Sequence, residues 1–355
     1  MTLAAPLPRV RLLSIMPTYQ CTAACDHCGT LSSPKDKTWL TREHFLSAIR
    51  QAHQGDYAGV VFTGGEATLA GAMLLEGIRL ASGLGMSTRV VTNAWWARKE
   101  SKAAARVRDM RDAGLNELNL STGDQHARFV PIENIITAAT VSLRAGIPVS
   151  IMIESTDKRV ITRHVLESHV EWRRMLRELP AAKPMVLESP WMPLEVDQVS
   201  AYDGGLAINS GNIAGRTGCD SVLSNTTVHA DGSVTACCGI ASRIIPEMRI
   251  GRVTDRGGLA EADRVADRDF VKHWLRAEGP ERILAWAASI DPSIEWEDMY
   301  AHRCHACVRM YSDSRVRQVI SEHFREKIQD VAFAEWLLYD FEAEAPEASR
   351  CVEPG

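Results

Sequence analysis

The sequence predicts an α/β fold made of repeated βα units around a parallel sheet. From about residue 10 to 190, short apolar runs rich in β-branched residues alternate with longer stretches that carry apolar residues at helical spacing. The chain has 355 residues, of which 45% are hydrophobic, so it can form two domains and a core that needs no covalent cross-links. These observations exclude a small disulfide-stabilised protein and a disordered chain.

Six strands are predicted in this first region, each from a short apolar run. The runs are VRLLSIMP (10–17), AGVVFT (58–63), TRVVTN (88–93), LNELNLST (115–122), IPVSIMIES (147–155) and KPMVLESP (183–190). Helices are predicted between them at 41–53, 71–83, 100–113, 132–145 and 163–178. Gly114 and Gly146 stand where two of these helices must end, as a left-handed C-cap requires.

The pattern changes after about residue 195, where Gly, Asn and Ser become frequent. The segment SNTTVHADGSVTACC predicts a β-hairpin that turns at Asp231 and Gly232. Helices are predicted at about 259–278 and 280–289, and a helical segment at 314–340. We therefore expect a first domain over 1–200, a small α+β domain over 201–313, and a C-terminal helical segment and tail over 314–355.

The charge pattern argues against binding to nucleic acid or to an anionic membrane. Forty Lys and Arg residues against 45 Asp and Glu residues give a formal net charge of −5, with no long run of one sign. The chain has no apolar stretch of about 18 residues and no secretory signal peptide. We expect a cytoplasmic protein.

Nine cysteines in such a protein predict metal binding or catalysis rather than structural disulfides. Cys21, Cys25 and Cys28 follow the first predicted strand with the spacing C-x3-C-x2-C. A structural zinc site takes four ligands, usually as two close pairs. Three thiolates in one short loop instead suit three corners of a [4Fe–4S] cluster and leave the fourth iron open to another ligand.

The segment CTAACDHC (21–28), followed by TGGE (63–66) after the second predicted strand, resembles the radical S-adenosylmethionine (SAM) superfamily. The resemblance implies a partial (β/α)6 TIM-type barrel, a [4Fe–4S] cluster on Cys21, Cys25 and Cys28, and SAM chelated to the open iron. It also implies an enzyme that cleaves SAM reductively to a 5′-deoxyadenosyl radical, which abstracts a hydrogen atom from a C–H bond.

The resemblance further implies which residues bind SAM. Gly64, Gly65 and Glu66 are expected to meet its ammonium group, the glycines by close backbone approach and the glutamate by a charge-assisted hydrogen bond. His27 replaces the aromatic residue that the family usually has before the third cysteine, and it is expected beside the adenine. Ala67 stands where the family usually has proline.

Polar residues at the predicted strand ends are further candidates, because the strand ends of such a barrel carry the site. Asn93, Ser121, Thr122 and Glu154 can reach the ribose or the methionyl carboxylate, or they cap the strand ends. Asp124 and His126 in the segment STGDQHARF are candidate catalytic residues that face the substrate, or they belong to a solvated loop.

Four later cysteines form a second candidate metal site. Cys219 and Cys237 have the spacing C-x17-C, and Cys304 and Cys307 form a C-x2-C pair. Cysteine spacing alone does not exclude a zinc ribbon. The pattern is similar to the Twitch domain of the superfamily, which implies an auxiliary [4Fe–4S] cluster. The cysteines of a full SPASM domain are missing after the last pair, so we expect two clusters.

Cys238 is next to one of these ligands, and strand alternation directs it away from Cys237. It is either a small core residue or a catalytic donor of hydrogen to a substrate radical, as in radical SAM epimerases.

Three classes of function remain. The first is crosslinking, epimerisation or oxidation of a ribosomally made precursor peptide, in natural product biosynthesis. The second is dehydrogenation or epimerisation of a small molecule such as an aminocyclitol or sugar, and the third is a metal-binding scaffold without activity. We favour the first by resemblance. The barrel pattern starts within about ten residues, without the leader-peptide-binding domain that many peptide-modifying members carry before it. This weakens the peptide hypothesis without refuting it, because that domain can be a separate protein. The expected electron donor is a flavodoxin or ferredoxin.

Overall fold

Six parallel strands confirm the predicted βα repeats. The computed structural model describes residues 10–26, 28–155, 159–191, 205–239 and 242–340. Each strand pairs in parallel with its predecessor in the chain, in the order β6-β5-β4-β3-β2-β1. The strands are β1 (Leu12–Ile15), β2 (Gly59–Phe62), β3 (Ser87–Thr92), β4 (Glu117–Gly123), β5 (Val149–Ser155) and β6 (Met185–Pro190). This is the arrangement of a partial TIM-type barrel.

Helices connect these strands close to the predicted positions. They are α1 (Arg42–Gln54), α2 (Ala72–Gly83), α3 (Glu100–Asp112), the short α4 (Asp124–Ala127), α5 (Ile132–Arg144), α6 (Arg163–Ser168) and α7 (Val170–Glu178). The predicted helix 163–178 is two helices, because the His169 side chain accepts a hydrogen bond from the Glu171 amide and starts α7. Gly114 and Gly146 have φ of +102° and +79°, which confirms the predicted helix ends.

The predicted hairpin joins the same sheet. β7 (Asn225–Val228) pairs in parallel with β1, and β8 (Ser233–Thr235) and β9 (Arg249–Arg252) follow as antiparallel strands. Gly232 has φ of +81° in the hairpin turn, where Asp231 accepts a hydrogen bond from the Ser233 amide at 2.9 Å. The sheet therefore has nine strands within the described part of the chain.

Two large hydrophobic cores lie on this framework within the described part of the chain, besides a small cluster of Met16, Tyr19 and Ala230. The first packs the barrel sheet against α1, α2, α3, α5, α6 and α7, and it includes Val228 and Val234 of the hairpin. The second surrounds Trp274 and Tyr300 in the C-terminal half. The first core thus extends beyond residue 200, where the sequence pattern placed the end of the first domain, because β7 covers the edge of β1.

The C-terminal half is helical. Its helices are α8 (Gly258–Asp267), α9 (Phe270–Glu278), α10 (Pro280–Ile290), α11 (Arg303–Ser312), α12 (Ser314–His323) and α13 (Ile328–Glu335). Asp269 divides the predicted helix 259–278, since its carboxylate accepts a hydrogen bond from the Val271 amide and caps α9. None of the described helices is long and apolar enough to cross a membrane.

Candidate active site

The loop between β1 and α1 carries the first three cysteines. Cys21, Cys25 and Cys28 are all partly buried. Burial raises the pKa of Cys21 and of Cys25 to about 12 in each case. A metal that binds the sulfurs of Cys21 and Cys25 would therefore have to displace their protons.

The Gly64-Gly65-Glu66 segment holds this loop against the end of β2. The Gly65 amide donates to the Thr18 carbonyl and the Glu66 amide to the Gln20 carbonyl, both at 2.9 Å. A Cβ atom on Gly65 would lie 2.3 Å from the Gln20 oxygen, closer than any side-chain carbon can approach. Gly65 is therefore needed for the cysteine loop to pack against the end of β2, whether or not it also contacts SAM.

The Glu66 carboxylate ties the ends of β2 and β3 together. Its Oε1 accepts hydrogen bonds from the Thr92 hydroxyl at 2.7 Å and the Thr68 amide at 3.1 Å, and its Oε2 accepts from the Asn93 amide at 3.0 Å. Burial raises the pKa of Glu66, although these hydrogen bonds act in the opposite direction. A carboxylate oxygen has about two acceptor sites, so Oε2 can accept a further donor.

A cavity of about 280 Å³ lies over this loop at the C-terminal ends of the strands. Its lining contains all three thiols, the Gly-Gly-Glu segment and polar groups from β3 and β4. The side chains and backbone that line it include Cys21, Cys25, Cys28, Gly64, Gly65, Glu66, Asn93, Ser121, His126, Trp191 and Cys238. His27 lies outside the described residues.

Asn93 contacts the first cysteine directly. Its Nδ2 donates to the Thr22 hydroxyl at 3.0 Å and lies 3.7 Å from the Cys21 sulfur. Its Oδ1 accepts from the Trp95 amide at 3.1 Å, which fixes the orientation of the amide group. An N–H group directed at a ligand sulfur is one of the ways a protein tunes an iron–sulfur cluster.

A partly buried His126 pairs with the buried Glu154 beside the cavity. His126 Nδ1 lies 2.9 Å from Glu154 Oε2, while Oε1 accepts from the backbone amides of Gln125 and His126. Gly123 has φ of +134°, and a Cβ atom there would lie 2.2 Å from this carboxylate. Glu154 thus lies behind His126, whereas His126 and Ser121 line the cavity.

Asp124 lies outside the cavity lining. Its carboxylate accepts hydrogen bonds from the Val160 amide at 3.0 Å and the Ile161 amide at 2.7 Å. It therefore holds the chain that follows β5. Thr122 is fully buried and is not part of the cavity lining.

A second cavity, of about 410 Å³, is surrounded by the four later cysteines. Cys219 precedes β7, Cys237 follows β8, and Cys304 and Cys307 lie in the first turns of α11. Burial raises the pKa of Cys237 and Cys307 well above the usual value, and the neighbouring sulfurs raise it further. Among the described residues, no group of three or more His, Cys, Asp or Glu side chains is arranged so that it could hold a metal ion.

Two polar groups accompany these thiols. The His302 ring caps α11 by accepting a hydrogen bond from the Cys304 amide at 3.1 Å, and burial lowers its pKa to about 4. Glu281, which is 2% exposed, also lines the cavity. The imidazole is therefore neutral, and the Glu281 carboxyl group shares the cavity lining with the four thiols.

Cys238 lines both cavities. β8 ends at Thr235, so strand alternation does not apply to Cys237 and Cys238. Cys237 is buried whereas Cys238 is exposed, and its sulfur donates to the Ser221 hydroxyl at 3.7 Å. The interpretation of Cys238 as a core residue is therefore wrong, because its thiol faces the space between the two cysteine sites.

Residues 15–170 match the family model of the Radical SAM superfamily. This chain contains a radical SAM domain. A protein of Bacillus subtilis (strain 168) with the provisional name of peptide biosynthesis protein YydG is 26% identical over 159 residues. That similarity covers 44% of this chain and 50% of the relative, so the chain spans half the length of the curated relative it matches.

Two solved structures share the fold of this chain over the radical SAM domain and over the region that follows it. Native anSMEcpe with bound AdoMet and Cp18Cys peptide is 15% identical, covers 91% of this chain and 99% of its own, and has a TM-score of 0.53. A histidine-tagged form of anSMEcpe with bound AdoMet is also 15% identical, covers 91% and 98%, and has a TM-score of 0.52. At this identity the likeness shows the fold alone.

The residues of the radical SAM domain fit the groups that the family implies, one [4Fe–4S] cluster and SAM. The three thiols line one side of the cavity, and polar side chains line other parts of its wall. Among these side chains is Trp191, whose Nε1 is buried and has no hydrogen-bond partner among the described residues. The position of Trp191 directly after β6 is the sequence signal for it, because strand ends carry the site.

Proposed function

We propose that this chain is a radical SAM enzyme that epimerises a residue in a ribosomally made peptide. The observation that carries the proposal is the Cys238 thiol, which lines the cavity of the three cluster cysteines without belonging to their set. A thiol in that position can return a hydrogen atom to a carbon radical formed in the cavity. The name of YydG supports a peptide as the substrate.

Cys21, Cys25 and Cys28 would hold the cluster, and Gly64, Gly65 and Glu66 would bind the ammonium group of SAM. When bound, the cluster and SAM supply a 5′-deoxyadenosyl radical that removes a hydrogen atom from an unactivated C–H bond. Ser121 and His126 line the wall from β4 and α4, where they can orient the ligands. Asn93 also lines the cavity and contacts Cys21, whereas Glu154 lies behind His126 and contacts its ring.

Cys238 completes the reaction. Its S–H bond breaks, the hydrogen atom forms a new C–H bond on the opposite face of the substrate carbon, and one unpaired electron remains on sulfur. The thiol is restored by one electron and one proton per turnover, and we assign the electron to a donor of the flavodoxin or ferredoxin class. The net change in the peptide is an inversion of configuration.

We also propose that Cys219, Cys237, Cys304 and Cys307 bind an auxiliary [4Fe–4S] cluster in a Twitch-like domain. Four cysteine thiols around one cavity are the usual ligand set of such a cluster. The two cavities share Cys238 as a common wall. A leader-binding protein encoded separately would deliver the peptide.

Replacing Cys304 by alanine tests the second cluster. We expect iron in the anaerobically reconstituted chain to fall from about eight to about four atoms, since each cubane holds four. Cys238→Ala is the matched control and should keep about eight, because Cys238 is not a ligand. Iron and zinc are measured together by elemental analysis; zinc in the wild-type chain, or unchanged iron in Cys304→Ala, would contradict the assignment.

Replacing Cys238 by alanine tests the proposed reaction. Peptides encoded beside the gene are incubated anaerobically with SAM and reductant in deuterated water. The wild-type chain should produce an epimer that carries one solvent deuterium, because the thiol exchanges its proton with water. Cys238→Ala should still form 5′-deoxyadenosine while the epimer is lost. A product lighter by two hydrogens would instead indicate oxidation, and full epimer formation by the variant would exclude Cys238 as the donor.

A further inference from the structure

Arg243 joins the segment of Cys238 to the first cysteine loop. Its Nη1 donates to the carbonyl oxygens of Thr30 and Leu31, each at 3.0 Å. Its guanidinium carbon lies 3.5 Å from the centre of the Tyr19 ring, within the range of a cation–π contact. Nη2 lies 3.8 Å from an Asp36 carboxylate oxygen. One side chain therefore contacts the cysteine loop at several points more than 200 residues away in sequence.

These contacts act on the turn that carries Cys28. The Leu31 amide donates to the Cys28 carbonyl at 2.8 Å, and Leu31 has φ of +51°, a conformation that a leucine rarely adopts. The Thr30 hydroxyl lies 3.4 Å from the Cys28 sulfur. Arg243 thus binds both carbonyls of a turn that has little intrinsic stability of its own.

The residues on both sides of Cys238 are also held by hydrogen bonds. The Cys237 carbonyl accepts hydrogen bonds from the hydroxyls of Thr227 at 2.9 Å and Thr235 at 3.1 Å, which fix it to the hairpin. The Ser242 amide donates to the Gly239 carbonyl at 3.0 Å. Cys238 therefore directly follows a residue whose carbonyl is fixed to the hairpin, and Ser242, next to Arg243, is bonded back to Gly239.

We propose that Arg243 is a positioning residue that fixes the turn carrying Cys28 against the segment carrying Cys238. Its consequence for catalysis rests on the proposed function, because it sets how the donor thiol lies relative to the iron that binds SAM. Arginine suits this position because a planar guanidinium can lie over a ring while it donates to two carbonyls. A lysine ammonium keeps the charge but has no planar face to stack on the ring.

The test compares Arg243→Ala and Arg243→Lys in the full-length, anaerobically reconstituted chain, with Arg256→Ala as the control at an exposed arginine. Hydrogen exchange is measured over residues 28–36 and 237–246, and electron paramagnetic resonance (EPR) follows the reduced first cluster before and after addition of SAM. In Arg243→Ala, exchange in both segments should be about tenfold faster, the factor expected for loss of one charge-assisted hydrogen bond.

The EPR change on addition of SAM should also be altered in Arg243→Ala, because the iron held partly by Cys28 loses its fixed orientation. Arg243→Lys should recover part of both effects, and the control should match the wild-type chain. Unchanged exchange in either segment would overturn the proposal, as would faster exchange with an unaltered SAM-dependent spectrum. If the wild-type spectrum did not respond to SAM, the proposed function would fail, while the exchange data would still decide the role of Arg243.

Discussion

Replacing Cys25 by alanine should abolish reductive cleavage of SAM. The loop offers three thiols to the first cavity, and a [4Fe–4S] cluster held by these three would leave one iron for SAM. With two thiols the cluster lacks a protein ligand on a second iron and should be lost during reconstitution. We expect 5′-deoxyadenosine to fall to the level of a reaction without protein, measured by chromatography after incubation with SAM and dithionite.

Cys238→Ala provides the comparison for this result, because it also removes a thiol from the same cavity. It should retain cleavage of SAM, since Cys238 is not expected to bind iron. A normal yield of 5′-deoxyadenosine from Cys25→Ala would show that the three-cysteine loop does not hold the catalytic cluster.

Replacing Gly65 by alanine should destabilise the chain and reduce iron binding at the first site. The added Cβ atom would lie 2.3 Å from the Gln20 carbonyl oxygen and 2.7 Å from the Tyr19 carbonyl oxygen, which are backbone atoms that cannot turn aside. Forced overpacking of this kind costs about 1–3 kcal/mol. We expect the free energy of unfolding in urea to fall by about that amount, together with loss of iron at the first site.

Gly83→Ala is the matched control, because Gly83 lies in α2 and a Cβ atom there would meet nothing within 4 Å. Alanine is favoured over glycine in a helix by up to about 1 kcal/mol, so this variant should be as stable as the wild-type chain or more stable. If Gly65→Ala kept both its stability and its iron, the docking role of the Gly-Gly-Glu segment would be excluded.

The barrel could be predicted from the sequence because each of its strands and helices is marked by a pattern within a short stretch of residues. Each of β1 to β6 is a short apolar run, and each of the first five is followed by helical periodicity. The helix breaks at His169 and Asp269 were not predicted, since a side-chain cap interrupts an otherwise continuous periodic pattern. The pairing of β7 with β1 is nonlocal and has no signature in either strand alone.

The same distinction applies to the candidate site. Spacing identified the two sets of cysteines, and the structure places each set around a cavity. The sequence could not indicate that Cys238 faces both cavities, because that depends on where β8 ends. The His126–Glu154 pair and the contacts of Arg243 also require the folded chain, since they join residues far apart in sequence.

The central claim is that one iron near the loop of Cys21, Cys25 and Cys28 is free to bind SAM. The most direct measurement is EPR spectroscopy of the wild-type chain, reconstituted and reduced without oxygen, before and after addition of SAM. Direct ligation should change the spectrum of the reduced cluster, and 5′-deoxyadenosine should form in the same sample. A spectrum that is identical with and without SAM would contradict the account.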